Sequence, residues 1–337
     1  GNSRASSGGE TRVIRATYGP DRLYVEMVAR SLEIWRASQQ QWHRPLLHIS
    51  GALWMVGKKD DYEKASLPLL KEAGIPFQTL APPEAAKRFP QIHFEGVEWA
   101  LYEPGAGYLM AREACQAVLE AFVGEGGEYR QSSVQPGAVA GGAMRGLRLS
   151  DGRELAADQF VFACGPWLGK LFPEVLGQRI QATRQEVFFF GPPAGDARFA
   201  EGALPVWIDN GERLFYGIPA NRWRGFKLAD DTRGRDVDPT TQERTPTPAA
   251  LRAAREYMEF RFPGMKGAPL VESRVCQYEN SPDTHFILDR HPQAQNVTLL
   301  GGGSGHGYKH GPALGEMAAK FVLGRAAAPK LFSLSRF

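Results

Sequence analysis

A lone cysteine and a glycine-rich segment are the parts of this chain best suited to chemistry. Cys276 lies in VCQY, about 25 residues before GGGSGHGYK, and residues 296–300 form a short apolar run that predicts a buried strand leading into that segment. Glycine has no Cβ, so its backbone can adopt positive φ and approach a ligand closely. The five glycines and Lys309 therefore indicate a site for a flat, anionic, electron-accepting group. A tight turn without a ligand is the alternative.

A helix is predicted directly after the glycine-rich segment. Residues 312–323 (PALGEMAAKFVL) begin with proline and carry apolar residues at helical spacing. The N-terminus of a helix has free N–H groups and a positive partial charge, so we expect it to face the ligand of the glycine-rich segment. His306 and Lys309 add a donor and a charge at the same place.

Two arginines near the start of the chain form a second group of candidate binding residues. SSGGETRVIRATYG places Arg12 and Arg15 three residues apart, after a small loop that contains glycine. On a helical turn such residues share one side, so both could bind one anionic centre. The spacing alone leaves a solvated basic surface as the alternative.

Length and composition limit the classes of protein to consider. The 337 residues are 43% hydrophobic and 23% charged, as in a globular protein with a sizeable core and two domains. A net charge of +3 without a dense basic run gives no indication of nucleic-acid binding. No apolar run reaches the roughly 18 residues of a membrane span, so no membrane partner is expected. Cys115, Cys164 and Cys276 form no metal-ligand or disulfide spacing, which makes a reducing cytoplasm the simplest setting and predicts no metal.

The periodicity of apolar residues predicts the order of the elements. Further helices are predicted at residues 21–41, 61–73, 82–89, 111–123 and 247–262. Strands are predicted within residues 46–56 and at 159–163, 187–190, 206–208 and 214–218, with a hairpin around Asp151-Gly152. The alternation of types, with a block of consecutive strands after residue 180, indicates an α/β part and a separate antiparallel part, α+β overall.

Five segments, in order, resemble the successive signatures of the monomeric sarcosine oxidase family. They are GGETRVIRATYG, FVFACGPW, GFKLADD, VCQYENSPDTHFILDRHP and GGGSGHGYKHGP, and they extend from about Ser6 to about Leu323. This family comprises FAD-dependent amine oxidoreductases within the wider D-amino-acid oxidase superfamily. The resemblance implies a discontinuous, Rossmann-like FAD-binding domain at residues 1–45, 111–180 and 274–330, and an antiparallel-sheet substrate domain at 46–110 and 181–273.

The resemblance also implies roles for individual residues. Cys276 matches the cysteine that holds FAD covalently, through a thioether to the 8α carbon of the flavin. Without the resemblance, an isolated cysteine is more simply a small buried hydrophobe. Arg15 and Lys309 match the two residues that bind the substrate carboxylate, and Arg12 matches the arginine packed against the flavin ring. Lys227 matches the lysine that activates dioxygen. Without its neighbours in the segment, it would be interpreted as an exposed lysine after a strand.

The remaining site positions follow from the same segments. Tyr278 matches an active-site tyrosine, and His306 matches the histidine of the flavin loop. Other positions assigned to the flavin are Ser7, Gly8, Gly165, Trp167, Gly303, Ser304, Gly305 and Gly307.

The implied reaction is oxidation of the C–N bond of a secondary or N-methyl amino acid. The partners are therefore a small amine substrate and O2, with hydrogen peroxide as a product, in a monomer or homodimer. Alternatives are another amine in the same family, such as L-pipecolate, N-methyltryptophan or a fructosyl amino acid, and a dehydrogenase that passes electrons to a quinone or protein. A flavin-free binding module or inactive remnant is the alternative from a different class.

Two positions depart from the family pattern. Asp231 lies where the family has an active-site histidine, four residues after Lys227, so the amine pocket should differ; a solvated turn in ADDTRGRD is the other interpretation. The chain also contains no G-x-G-x-x-G, the motif that places the FAD pyrophosphate at a helix N-terminus. We therefore expect a βαβ unit of a few dozen residues to precede this sequence. Otherwise the polypeptide would not hold FAD in the way typical of the family.

Overall fold

The computed structural model describes residues 2–211, 214–222 and 224–337. The helices are α1 (Arg22–Gln41), α2 (Asp61–Glu72), α3 (Pro82–Arg88), α4 (Ala111–Gly124), α5 (Leu168–Leu171), α6 (Pro173–Leu176), α7 (Pro248–Arg261) and α8 (Gly311–Val322). The strands are β1 (Arg12–Ile14), β2 (Leu47–His48), β3 (Ala52–Val56), β4 (Gln78–Leu80), β5 (Trp99–Glu103), β6 (Gly107–Leu109), β7 (Val134–Pro136), β8 (Val139–Ala140), β9 (Ala143–Met144), β10 (Leu147–Leu149), β11 (Glu154–Leu155), β12 (Phe160–Phe162), β13 (Gln181–Phe190), β14 (Val206–Asn210), β15 (Leu214–Ile218), β16 (Phe226–Asp230), β17 (Leu270–Asn280), β18 (Ile287–His291) and β19 (Ala294–Gly301).

The helices predicted from periodicity are confirmed to within one residue at either end. Local signals explain this accuracy. Thr247 caps α7 by accepting a hydrogen bond from the backbone N–H of Ala250 at 3.2 Å, and Pro248 occupies the first turn. Gly74, with φ of 66°, follows the end of α2 in the left-handed conformation that terminates helices.

An eight-stranded mixed sheet is the largest element of the fold. Its strand order is β17-β13-β16-β15-β14-β3-β5-β4. Strands β14 and β3 pair in parallel, and all other neighbouring strands of this sheet pair antiparallel. Trp207, Phe226 and Phe262 are fully buried against this sheet, where Trp207 and Phe262 have ring centroids 4.8 Å apart. This aromatic core fixes the strands that carry the candidate site. The predicted fold class, α+β overall, is confirmed, with a large mixed sheet that is antiparallel at every pairing except β14–β3.

Two smaller sheets contain β1, which carries Arg12, and β19, which leads into the glycine-rich segment. In one, β12 pairs in parallel with β19, which pairs antiparallel with β18. In the other, β6 lies between β1 and β2. The division into two domains remains a prediction. Its boundary between residues 273 and 274 falls inside β17, and strands from both predicted domains share the β1-β6-β2 sheet.

The strands predicted within residues 46–56 are confirmed as β2 and β3, and every residue of β3 is buried. Within the described ranges, no helix combines the length and the apolar character that crossing a bilayer requires.

Candidate active site

A cavity of about 800 Å³ brings most of the predicted site residues together. Those that line it are Gly8, Arg12, Arg15, Lys227, Asp231, Cys276, Tyr278, Ser304, Gly305, His306 and Lys309. They come from widely separated parts of the chain, so the cavity exists only when the sheets have formed. Ser7, Gly165, Trp167, Gly303 and Gly307 are not among its lining residues.

Strand alternation explains how the large sheet presents its site residues. Cys276 and Tyr278 are two residues apart in β17, so both point to the same face. Cys276 is thus inside a strand, not before one. The neighbouring strand β13 separates β17 from β16, which carries Lys227. Cys276 faces Gln185 in the β13–β17 register, and Lys227 faces Phe189 in the β13–β16 register.

The glycine-rich segment lies against Tyr278. Gly305 has φ of 81°, and a Cβ added there would be 2.7 Å from the Tyr278 ring. Only glycine allows this approach without displacing the ring. A 3-10 turn, Tyr308–His310, separates the segment from α8, which begins at Gly311. The turn, and not the first turn of α8 itself, therefore carries Lys309.

Arg15 and Lys309 form a pair of cations at the cavity wall, and Lys309 is buried while Arg15 is partly buried. The Arg15 guanidinium lies 4.2 Å from the centroid of the Tyr18 ring and 4.8 Å from that of Trp54. Lys309 Nζ donates to Tyr18 Oη at 3.0 Å and to the His306 carbonyl at 3.1 Å. Burial, together with the charge of Arg15, holds the pKa of Lys309 well below its usual range. An anion placed between the two groups would relieve this unfavourable pairing of charges.

Glu103 in β5 fixes the chain segment that carries Arg15. Its carboxylate is 1% exposed and accepts hydrogen bonds from the backbone N–H groups of Ala16 at 2.7 Å and Thr17 at 3.1 Å. The Thr17 hydroxyl donates to it as well, at 2.6 Å. Sequence reasoning missed this residue, because nothing in WALYE marks one carboxylate as buried.

A second group of cations lies beside Cys276. Arg12 Nη2 is 3.7 Å from Cys276 Sγ, and Arg12 also donates to the Ser6 carbonyl. Lys227, only 3% exposed, donates to the Thr11 carbonyl at 3.0 Å. Burial, followed by the charge of Arg12, lowers the pKa of Lys227 to about 7. Lys227 is thus a buried residue of the cavity, not an exposed lysine after a strand.

The spacing argument for Arg12 and Arg15 rested on the wrong backbone conformation. Arg12 lies in β1, and β1 ends at Ile14, so the two arginines do not share a helical turn. Both nevertheless line the cavity, and they contact different groups there. The two cations therefore have separate places in the site.

Asp231 and Tyr278 form the polar pair closest to the centre of the site. Tyr278 Oη donates to Asp231 Oδ1 at 2.6 Å. Burial raises the pKa of Asp231, while the hydrogen bond from Tyr278 and the charges of Lys309 and Arg15 lower it. Burial raises the pKa of Tyr278 well above its usual range, so the phenol remains a hydrogen-bond donor. Asp231 is thus a cavity residue and not a solvated turn.

Tyr216 is a cavity residue that sequence reasoning missed. It lies in β15, and its ring centroid is 5.5 Å from Lys227 Nζ. Burial raises its pKa. The signal was weak, because an aromatic residue in an apolar strand is usually core. The signal that could have found Tyr216 is Lys227, which lies eleven residues later in the neighbouring strand β16.

Tyr18 connects the two histidines of the glycine-rich region with Lys309. Its hydroxyl lies 3.3 Å from His306 Nδ1 and 2.8 Å from His310 Nε2. His306 Nε2 is 3.0 Å from the Thr284 carbonyl. Burial, together with Lys309, lowers the pKa of His306 to about 3, so this imidazole is neutral at physiological pH. The network orients Lys309 without adding a further charge.

Several predicted flavin residues surround a buried carboxylate outside the cavity. Gly303 donates its backbone N–H to Glu279 Oε1 at 3.1 Å. A Cβ added to Gly165 would lie 3.5 Å from Glu279 Oε2, an atom without a hydrogen-bond partner among the described residues. Trp167 donates its indole N–H to Thr240 at 3.0 Å and faces away from this carboxylate.

The residues of the cavity fit the isoalloxazine end of FAD. The close approach of Gly305 to Tyr278 leaves a surface on which a flat ring can lie. The Cys276 thiol and the cationic side chains supply a nucleophile and positive charge at the same cavity. Among the residues that the structure describes, no cluster of His, Cys, Asp or Glu could hold a metal ion.

Comparisons with known proteins agree with this assignment of the cofactor. Residues 2–321 match the family described as FAD dependent oxidoreductase. The monomeric sarcosine oxidase of Streptomyces avermitilis is 30% identical over 336 residues, covering 97% of this chain and 86% of that protein. N-methyl-L-tryptophan oxidase of Salmonella dublin is 28% identical over 349 residues, covering 100% of this chain and 90% of that protein. The crystal structure of L-proline dehydrogenase from P. horikoshii matches with a TM-score of 0.83 at 20% identity, covering 96% and 85% of the two chains, which shows a shared fold.

Proposed function

Because this chain belongs to the FAD-dependent oxidoreductase family, as a sarcosine oxidase-like amine oxidase, we propose that it oxidises the C–N bond of a secondary or N-methyl amino acid. One observation carries the proposal. The cations Arg15 and Lys309 line the same cavity as the thiol of Cys276 and the Asp231–Tyr278 pair. A small molecule with a carboxylate and an amine meets complementary groups at both ends.

Arg15 and Lys309 bind and orient the substrate carboxylate. Stacking on Tyr18 and Trp54 holds the guanidinium in place, and the Tyr18 hydroxyl fixes the ammonium of Lys309. Two preorganised cations in a partly dry site bind a carboxylate more strongly than the same groups in water. This contact places the amine and its adjacent C–H at the opposite wall of the cavity.

Cys276, Arg12 and Lys227 are the residues that would hold and serve the cofactor. When bound, FAD would supply the redox chemistry, in which the C–H and N–H of the amine together lose two electrons and two protons to give an imine, and two electrons and two protons reduce O2 to hydrogen peroxide; the imine then hydrolyses in water. Cys276 would tether the flavin covalently, with Arg12 beside the thiol. Lys227 would stabilise negative charge that develops on dioxygen, for which its burial is favourable.

A bulkier amino acid is the second candidate substrate. Trp54, Tyr62 and Tyr18 line the cavity around Arg15, so an aromatic or cyclic side chain would have apolar surface to contact. N-methyltryptophan and L-pipecolate carry the same carboxylate and amine. A relative named N-methyl-L-tryptophan oxidase supports keeping this candidate. We propose the cytoplasm as the compartment of this protein, on the basis of its three free cysteines.

Anaerobic mixing tests the proposal. The purified protein, with any preceding segment included, should be yellow and should stay yellow in the pellet after acid precipitation. Sarcosine, N-methyl amino acids and L-pipecolate are then added without oxygen, and at least one should bleach the flavin. Admitting air should restore the colour with one peroxide per cycle. A yellow protein bleached by no amine would refute the function, and a colourless protein would favour the flavin-free module.

A further inference from the structure

One carboxylate lines the same cavity as the cationic pair. Asp231 directly follows β16, and its backbone N–H donates to the Leu214 carbonyl at 2.7 Å, so its position is fixed by the sheet. Tyr278 holds one of its oxygens at 2.6 Å. The cavity therefore presents to a ligand both the positive groups of Arg15 and Lys309 and the carboxylate of Asp231.

Two other carboxylates of the cavity wall have partners of their own. Glu10 lies 3.0 to 3.3 Å from the guanidinium groups of Arg112, Arg224 and Arg274. Asp230 accepts from the backbone N–H of Thr232 at 2.9 Å. Among the described residues, the Asp231 side chain accepts one hydrogen bond, from the neutral phenol of Tyr278, and forms no ion pair.

We propose that Asp231 binds the substrate amine as an ammonium cation, opposite the carboxylate-binding pair of Arg15 and Lys309, so that the site selects zwitterionic amino acids. This inference rests on the proposed function and names the charge state of its substrate. A zwitterion pairs its carboxylate with Arg15 and Lys309 and its ammonium with Asp231. A carboxylate with a neutral group in place of the amine leaves Asp231 without a cation. A buried carboxylate facing such a ligand loses solvation and gains no ion pair.

The charge of Asp231, and not only its hydrogen bond, is the point to test. The alternative is that Asp231 only holds the phenol of Tyr278 in position. Asp231→Asn separates the two, because the amide oxygen can still accept from Tyr278 while the negative charge is lost. Tyr278→Phe is the matched control, since it removes the phenol and keeps the charge.

The experiment uses two ligands of the same shape that cannot be oxidised to an imine. Trimethylammonioacetate has a fixed positive charge, and 3,3-dimethylbutanoate has carbon in place of nitrogen. Each is titrated into the flavin-loaded protein, and the Kd is read from the change in flavin absorbance. The wild-type protein should bind the cationic ligand about tenfold tighter or more, which is about 1.4 kcal/mol. Asp231→Asn should reduce this preference to about twofold or less, mainly by weakening the cationic ligand, and Tyr278→Phe should retain it.

The outcomes separate this inference from the proposed function. Equal binding of both ligands by the wild-type protein overturns the inference without any variant, even if amines bleach the flavin normally. An unchanged preference in Asp231→Asn overturns it as well. If neither ligand perturbs the flavin and no amine bleaches it, both the inference and the proposed function fail.

Discussion

Glu279 is predicted to destabilise the folded protein at neutral and alkaline pH. Its Oε1 accepts the backbone N–H of Gly303, but its buried Oε2 has no partner among the described residues. Burial raises the pKa of this carboxyl to about 7, against an ordinary value of 4.5. Ionisation of Glu279 therefore requires more free energy in the folded state than in the unfolded state.

The sign and the size of the effect follow from this shift. Between about pH 4.5 and 7 the folded state holds a proton on Glu279 that the unfolded state releases, so the free energy of unfolding falls as pH rises through that window. A shift of about 2.5 units corresponds to at most about 3 kcal/mol. Glu279→Gln keeps an oxygen that can accept from Gly303 and removes the ionisation. Relative to wild type, the variant should gain little at pH 4.5 and up to about 3 kcal/mol at pH 8.

Urea unfolding followed by tryptophan fluorescence at pH 5, 6, 7 and 8 measures this difference. Glu98→Gln serves as the control, because Glu98 is an exposed glutamate on the same chain and its substitution should change stability by less than about 0.5 kcal/mol at every pH. A Glu279→Gln difference that does not change between pH 5 and 8 would show that the carboxyl is not ionising in an unfavourable environment. A decrease in stability at pH 8 would reverse the sign and refute the reasoning.

Three further substitutions test other parts of the structure. Lys227→Met should slow reoxidation of the reduced flavin by oxygen by about 100-fold in stopped-flow experiments while leaving its reduction by amine little changed, because the buried ammonium acts only on dioxygen; equal effects on both steps would contradict this role. Gly305→Ala should lower stability by about 1 to 3 kcal/mol in thermal unfolding, because φ of 81° and the nearby Tyr278 ring disfavour a Cβ; an unchanged melting temperature would count against the close contact. Arg261→Met should cost about 3 to 5 kcal/mol, since it leaves the buried carboxylate of Asp209, which Arg261 contacts at 2.8 Å, without its cation; denaturant unfolding measures the loss, and the double variant with Asp209→Leu should recover part of it.

Local features of this protein were predictable because local signals determine them. The helix boundaries are determined by capping residues and by apolar spacing close to each boundary, as Thr247 and Pro248 show for α7. The resemblance to the sarcosine oxidase family, read from five ordered segments, is confirmed by the family match and by the relative from Streptomyces avermitilis. It identified Arg15, Lys227 and Lys309 as candidates, and all three line one cavity.

Long-range pairing was not predictable, and it decides burial within the site. Lys227 alone looks like an exposed lysine, and it becomes buried only because β16 lies between β13 and β15. Tyr216 was missed for the same reason, since its contact with Tyr278 depends on strands far apart in sequence. The parallel pairing of β14 with β3 joins residues roughly 150 positions apart, and no pattern in either strand specifies the partner.

The contact between Cys276 and Arg12 determines when the cavity can be completed during synthesis of the chain. The two side chains are 264 residues apart in sequence and meet within 3.7 Å. A ribosome makes roughly 5 to 20 residues per second, so β1 exists for tens of seconds before β17 is available to complete the cavity wall. Until then the cations of the first segment have no opposing surface, and nothing encloses a flat ring. This part of the cavity wall is therefore completed only after most of the chain has been made, and a nascent polypeptide that stalls before residue 280 lacks it.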